Sequence, residues 1–321
     1  MAALAETQLP EIVELTQVSG SDLDELLAEE IQVWRERFAW DFRPSADLLR
    51  RFTQLHSLLG YALRVGRRVV GYAYFVVEGR KGLIGDFYVR NSYGGDPYET
   101  ALLTAVIGGI MGKSGVKRIE SQLMLLRHES VPLPFSRFLR RHNRLFMEAD
   151  ARTAARLPEM VVNSRVAFLP WAERNHEEIA HLVAAAYRGH VDSEINDQYR
   201  TVPGARHFLT NIIKYPGCGN FSPDTSTVAI DEKTGRVCGT CLTSLISSNA
   251  GHITQLCTLP AIRGQHLGYE LLRRSLVRLA DRGCATISLT VTCTNIGAIR
   301  LYESVGFRPH AAFPALVWEG F

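Results

Sequence analysis

The first 217 residues contain no cysteine; all six (Cys218, Cys238, Cys241, Cys257, Cys284 and Cys293) fall in the remainder of the chain. They lie mostly in strand-like runs where a small apolar side chain serves, and read as reduced thiols. Cys238 and Cys241 form a C-x-x-C, but positions i and i+3 of a strand face opposite sides and no second ligand pair accompanies them, so no metal is expected. Long hydrophobic runs are also missing. The longest, Ala101 to Met111, is too short for a bilayer and reads as a core helix, so no membrane partner is expected. An excess of one charge is missing too: 36 basic against 33 acidic side chains, net +3, argues for neither a nucleic-acid nor a membrane-surface partner. Glu6, Glu11 and Glu14 stand where a leader would have a basic and then an apolar region, which sets the expectation of a cytoplasmic protein.

What is present is ordinary globular material. Hydrophobic residues make up 46% and charged residues 21% of 321, which supports a folded chain long enough for two cores. Periodicity predicts helices over Ser21–Phe38 and Ala46–Leu59, then strands Tyr61–Val65, Val69–Val77 and Leu83–Val89 as an antiparallel meander. A break at Tyr93 to Pro97 leads to a helix Tyr98–Gly112, a strand Arg118–Leu125 and a basic helix Phe135–Arg144, whose arginines read as a solvated face. The order then repeats. Strand Val166–Leu169 precedes helices Glu173–Arg188 and Ala205–Ile213. Strands Thr227–Ile230, Val237–Ser247 and Ile253–Thr258 follow, then a turn at Arg263 to Gly268, helix Tyr269–Arg282, strand Thr286–Val291 and helix Gly297–Ser304. Tyr98-Glu99 and Tyr269-Glu270 echo one another just after the two turns. The expected domains are 1–155 and 165–321, with a linker across Ala154 to Ser164.

The stretch QLCTLPAIRGQHLGYELL, Gln255 to Leu272, places a strand, a short turn and a helix start in sequence. Unpaired N–H groups and the positive end of a helix dipole suit a pyrophosphate there. In the next stretch, VTCTNIGAIRLYESVGF, the residues Asn295, Ala298, Leu301, Tyr302, Gly306 and Phe307 match the N-x-x-A-x-x-L-Y-x-x-x-G-F signature. The chain therefore resembles the GNAT superfamily of N-acetyltransferases, and Arg263 to Gly268 sits where that family has Q/R-x-x-G-x-G/A. The likeness covers about Thr227 to Phe307. It implies an α+β fold of two tandem GNAT-like domains, each a mixed, mostly antiparallel twisted sheet flanked by helices, with a degenerate first copy.

The resemblance further implies acetyl-CoA as acyl donor. The cofactor-binding residues it implies are Leu256, Thr258, Arg263, Gly264, Gln265, His266, Leu267, Gly268, Asn295 and Ala298. It assigns the Thr258 N–H to the developing oxyanion, Tyr302 to protonation of the departing thiolate, and Asn295 to the pantetheine arm. The motif's first glycine falls on His266, which is expected to resist positive φ. Gly306 is expected to end its helix in the left-handed conformation.

An amine acceptor must lose a proton. Asp192, Glu194 and Asp197 in the loop GHVDSEINDQYR, and His252, are the candidates, with Glu194 preferred. In the first half, Asp96 places a negative charge where phosphates would sit, and the last helix lacks the signature, so that copy is expected not to catalyse. The expected activity is acetyl transfer to a primary amine of a small molecule or peptide by direct attack in a ternary complex; a homodimer is compatible with it. A non-catalytic acyl-CoA binding or sensing protein is the alternative. A transferase using aminoacyl-tRNA is disfavoured by the complete signature and the weak basic charge.

Overall fold

The computed structural model describes residues 10–127, 132–154, 156–162 and 165–321. Glu6, and residues 155, 163 and 164 of the expected linker, lie outside them. The chain forms two compact units: 1–38, 42–142 and 313–321 in the first, 39–41 and 143–312 in the second. These do not coincide with a cut between 155 and 165, because two strands change sides.

Unit 1 contains β1 (Glu11–Glu14), α1 (Asp24–Phe38), α2 (Arg43–Gln54), β2 (Gly60–Val65), β3 (Arg68–Glu78), β4 (Lys81–Val89), α3 (Tyr98–Met111) and β5 (Arg118–Gln122). Ser19 opens this unit's helical layer with a capping box to Asp22, and Pro44 occupies the first turn of α2, where a missing N–H costs nothing. The strands run β1-β2-β3-β4-β5, antiparallel except for the parallel β4–β5 pair. The chain's last strand then pairs with β5. Leu102, Val106 and Ile110 of α3 pack with Phe75, Ile84, Phe87 and Trp318 in the core.

In unit 2 the sheet begins with β6 (Leu139–Asp150, from Asn143 onward) and continues after α4 (Ala151–Ala154) with β7 (Val166–Pro170). Next come α5 (His176–Ala186), α6 (Asp192–Ile195), α7 (Val202–Lys214), β8 (Asn220–Phe221), β9 (Thr227–Asp231), β10 (Val237–Ser247) and β11 (Ala250–Thr258). The series closes with α8 (Leu267–Asp281), β12 (Thr286–Thr292), α9 (Ile296–Ser304) and β13 (Arg308–Glu319), whose residues from Phe313 onward belong to unit 1. The order is β6-β12-β11-β10-β9-β7, and only β11–β12 is parallel among the pairings within it. One face of this sheet carries α8 over Leu271, Leu272, Leu276 and Ile287; the other carries α5 and α7 over Val183, Leu209, Leu242 and Cys257. Both units are thus the mixed, mostly antiparallel α+β layers that the sequence implies.

The basic helix expected at Phe135–Arg144 is instead a 3-10 turn, Ser136–Phe138, leading into β6. Four arginines at helical spacing suggested a helix, but the segment is decided by pairing with β12, from Asp150 opposite Thr286 to Arg144 opposite Thr292. Among the described residues no helix is long and apolar enough to cross a membrane.

Candidate active site

β11 and β12 are paired only from Ala250 opposite Thr286 to Ile253 opposite Leu289, although both strands run on. A bulge at Thr254 interrupts the antiparallel ladder to β10 just after this point, between Ile253 opposite Thr243 and Gln255 opposite Leu242. The sheet therefore opens beyond Ile253. The Leu259 N–H donates to the Cys238 carbonyl at 2.9 Å, which makes Gly239 and Thr258 a non-hydrogen-bonded pair. By the alternation of antiparallel ladders, the N–H groups of Thr258 and Leu256 then point away from β10, into the opening.

The turn that follows leads into the N-terminus of α8. The first intrahelical bond runs from the Glu270 N–H to the His266 carbonyl at 3.0 Å, leaving the N–H groups of Leu267, Gly268 and Tyr269 at the helix mouth. Gly264 has φ of 77° and His266 φ of 60°. The expectation that His266 resists positive φ is corrected: it takes the left-handed conformation itself, as the N-cap of α8, with its side chain exposed. Histidine is among the residues enriched there. A Cβ on Gly268 would meet only Leu301 Cδ2, at 3.6 Å, so the helix mouth is open to a ligand. The exposed Arg263 aims its guanidinium elsewhere, donating at 2.8 Å to the Ala186 carbonyl at the end of α5.

Asn295 caps α9 by accepting from the Ala298 N–H at 3.3 Å, and its Nδ2 lies 3.2 Å from His190 Nε2. The Asp192 N–H donates to His190 Nδ1 at 3.1 Å, and Asp192 Oδ2 is 3.7 Å from the same nitrogen. The Thr292 hydroxyl donates to Asp192 Oδ1, which fixes this carboxylate at the end of β12. Tyr187 stacks on Tyr199 at 4.5 Å and meets the His190 ring edge-on at 5.2 Å. The buried Tyr302 joins the same cluster. Burial above all, then the charges of Cys241 and Asp192, push its phenol well above the usual tyrosine range. Burial raises the Cys241 and Cys257 thiols to about 12, so neither offers a thiolate nucleophile at neutral pH.

Of the proton-acceptor candidates, Asp192 is the one fixed beside Thr292 and Tyr302. Glu194 and Asp197 are on the same short segment, but Glu194 is exposed to solvent on α6, so the preference for it shifts to Asp192. His252 is 5% exposed, with Nδ1 2.9 Å from Ser288 Oγ and its ring 5.3 Å from Trp40 and 6.2 Å from Phe146. Burial, with a contribution from the Arg144 charge, lowers its pKa to about 3, which makes it a poor base. Gln265 is exposed and Leu267 buried. Gly306 has the expected positive φ, 101°.

Residues that sequence reasoning passed over are His190, Thr292, Tyr187, Tyr199 and Arg144. Arg144 donates from Nη2 to Thr290 Oγ1 at 3.1 Å rather than forming part of a solvated helix face. An aromatic and histidine run around GHVDSE was the only local sign of the first group.

Unit 1 repeats the geometry position by position. β4 and β5 pair from Lys81 opposite Arg118 to Ile84 opposite Ser121, and the bulge falls at Gly85. Val89 stands opposite Gly71, as Thr258 does opposite Gly239, and the Arg90 N–H donates to the Val70 carbonyl at 2.8 Å. Here the opening is filled. Arg127 donates to the Val89 carbonyl and, at 3.4 Å, to that of Arg90, and a Cβ on Gly94 would collide with its guanidinium. The helix mouth carries Pro97, which has no N–H, as N-cap of α3.

Asp86, the counterpart of Gln255, is fully used. It accepts from the Phe87 N–H at 2.8 Å and lies 2.7 Å from the Tyr72 hydroxyl, which also lies 2.9 Å from Glu30. Burial and the neighbouring Asp86 charge push the Glu30 carboxyl well above the ordinary range, and burial raises that of Asp86 as well.

The acetyltransferase (GNAT) family matches residues 193–307. No curated protein matches the sequence. Among solved structures, a tandem GNAT protein from the clavulanic acid biosynthesis pathway, determined without acetyl-CoA, is similar at 14% identity and TM-score 0.61, covering 97% of this chain and 98% of that one. A GCN5-related N-acetyltransferase from Sphaerobacter thermophilus gives 14% and 0.65 over 97% and 95%. A GCN5-related glucosamine N-acetyltransferase region of a fungal β-N-acetylglucosaminidase gives 15% and 0.60 over 98% of this chain and 38% of that one. At such identities these likenesses concern the fold. Residues 193–307 thus form a GNAT acetyltransferase domain, within a chain that has the tandem GNAT fold throughout.

Proposed function

We propose that unit 2 transfers an acetyl group from acetyl-CoA directly to a primary amine, and that unit 1 binds no acyl donor. The observation that carries this reading is the opening between β11 and β12. Two backbone N–H groups face into it, an open helix mouth lies at one end, and a buried tyrosine and a fixed carboxylate stand beside it.

The donor fits the residues present. Leu267, Gly268 and the turn before them would hold the pyrophosphate by N–H groups and the helix dipole. The N–H groups of Leu256 and Thr258 would hold carbonyl oxygens, one of them the oxygen that gains charge on attack. When bound, the acyl-CoA supplies an activated carbonyl carbon.

The chain's own residues then manage protons. Asp192 receives one from the incoming ammonium, and His190 can pass it toward solvent. As the amine nitrogen bonds to the carbonyl carbon and the carbon–sulfur bond breaks with its electron pair going to sulfur, Tyr302 donates its phenol proton to that sulfur. The nitrogen's remaining surplus proton restores Tyr302, so the net release is one proton. Asn295 positions this machinery by capping α9, the helix that carries Tyr302, and by facing His190. The high thiol pKa values of Cys241 and Cys257 argue against a covalent acyl-cysteine route.

The test is free-thiol release from acetyl-CoA across a panel of primary amines, with calorimetry for stoichiometry. One coenzyme A per chain and amine-dependent thiol release are expected. Binding without release for any amine would leave a non-catalytic acyl-CoA binder.

A further inference from the structure

One side chain joins the turn before α8 to the segment after α5. Arg263 Nη2 donates at 2.8 Å to the Ala186 carbonyl, across 77 residues of sequence. Ala186 is the last residue of α5, so its carbonyl is among those that no N–H within the helix can reach, and the negative end of the helix dipole favours a guanidinium there. The chain that leaves Ala186 carries the acceptor-side groups. Tyr187 caps α5 and its carbonyl accepts from the His190 N–H at 3.0 Å. The His190 carbonyl accepts from the Ser193 N–H at 2.9 Å and from the Ser193 hydroxyl at 2.6 Å. Further ties hold this wound segment at its middle and its far end: Thr292 to the Asp192 carboxylate, Asn295 to His190, and Arg200 Nε to the Ser193 carbonyl at 2.8 Å. Arg263 holds its root.

Building on the acyl-transfer reading, we propose that Arg263 is a positioning residue for the acceptor and not a ligand of the donor. It holds the end of α5, and with it the Tyr187 and His190 rings and the Asp192 carboxylate that takes the ammonium proton. The pyrophosphate is left to backbone N–H groups at the start of α8, which suit an anion without a cationic side chain. The backbone of Arg263 belongs to the donor turn, its N–H donating to the Pro260 carbonyl at 3.3 Å, while its guanidinium belongs to the acceptor segment. The position at which the family likeness implies a donor contact therefore serves the other substrate. Because the arginine is exposed, the bond is worth a modest factor in acceptor binding and not the whole of it.

The experiment compares the full wild-type chain with Arg263→Met, which keeps the stem and loses the donor, and Arg263→Lys, which keeps a cationic donor. Three quantities are read: coenzyme A affinity by calorimetry, acceptor KM and kcat by thiol release with the amine of the panel that turns over fastest, and hydrogen exchange at the His190, Asp192 and Ser193 amides. Arg263→Met should raise the acceptor KM and speed local exchange by about three- to tenfold, the worth of one hydrogen bond. Coenzyme A affinity should stay within about twofold, and Arg263→Lys should recover most of the loss. Weakened coenzyme A binding would return the guanidinium to the pyrophosphate. That result, unchanged exchange, exchange accelerated throughout unit 2, or an unchanged acceptor KM in an active enzyme would each overturn the proposal. Exchange accelerated at these amides alone, in a protein that releases no thiol with any amine, would instead uphold the positioning role and reject the acyl-transfer reading.

Discussion

Val89 and Thr258 occupy the same place in two copies of one strand pair, with the same register, the same bulge and the same non-hydrogen-bonded glycine opposite. Beside Thr258 the sheet opens toward a helix mouth lined by N–H groups. Beside Val89 a guanidinium closes the opening, and a proline removes one donor from the helix mouth. Deeper in, Asp86 of unit 1 is satisfied by Tyr72 and Phe87. The fold supplies the opening twice; side chains decide whether it is a site. If unit 1 binds no acyl donor, as proposed, the difference lies in a side chain that occupies the opening while the backbone is kept.

The sharpest way to break this comparison is at Tyr302. Between β5 and β6 of unit 1 the described residues form only the 3-10 turn Ser136–Phe138, with no helix to carry such a residue. Tyr302→Phe should lower kcat by about 10² to 10⁴, the usual worth of a positioned general acid, while coenzyme A affinity holds. Its high pKa keeps the phenol protonated through the neutral range, so the loss should not depend on pH there. If kcat stays within about threefold with chemistry rate-limiting, the ring is packing only.

The two units should also respond oppositely to acid. The pKa of His252 is depressed from 6.5 to about 3. Its neutral form therefore contributes stability that is complete above pH 6.5 and lost as pH falls through 3, on the order of 4 kcal/mol in all. Glu30 is shifted upward, so its contribution is complete below 4.5, the ordinary value for the group, and erodes as pH rises toward its folded pKa. Hydrogen exchange, corrected for intrinsic rate, should show β11 and β12 losing protection between pH 6.5 and 4, while α1 and β3 do not. A His252 imidazole resonance titrating above pH 5 would contradict the burial argument.

Much of this contrast was legible from local pattern, and what was not has a common cause. The turn, α8, α9 and the repeat of elements are written in contiguous residues, and Asn295, Tyr302 and Gly306 were singled out by their match to the GNAT signature. β6 was mistaken for a helix because its arginines recur at helical intervals, whereas its partner β12 lies more than a hundred residues away. β13, which completes unit 1 from the end of the chain, was missed for the same reason. Asp192 could not be told from Glu194 by spacing; the contact that fixes the Asp192 carboxylate comes from the Thr292 hydroxyl, 100 residues on. Arg127 differs from an ordinary residue only through the register around it.

Arg127→Ala tests how the first opening was closed. Two carbonyls lose a charged donor, which should cost about 1–3 kcal/mol in the thermal stability of unit 1. Coenzyme A stoichiometry should nevertheless stay at one per chain, because Pro97 still lacks an N–H and Asp96 still sets a carboxylate at the start of α3. A stoichiometry of two would mean that the arginine alone separates the copies.

The smallest effect is expected at His266, where the helix mouth of unit 2 carries a side chain in the left-handed conformation. That conformation costs an ordinary L residue roughly 1–2 kcal/mol, and glycine adopts it freely. Glycine also gains freedom in the unfolded chain, which offsets part of the relief. His266→Gly should therefore stabilise by less than about 1 kcal/mol, a rise of a few degrees at most in Tm, whereas His266→Ala keeps the Cβ and should show no gain. Because the imidazole is exposed, the N–H groups and the helix dipole do the binding, so coenzyme A affinity should be the same in all three proteins. A Tm that falls with glycine would mean that the imidazole makes a stabilising contact within the fold. An affinity that falls equally for glycine and alanine would instead assign the imidazole a direct contact with the pyrophosphate, and the departure from the family's glycine would then be a substitution of one anion ligand for another.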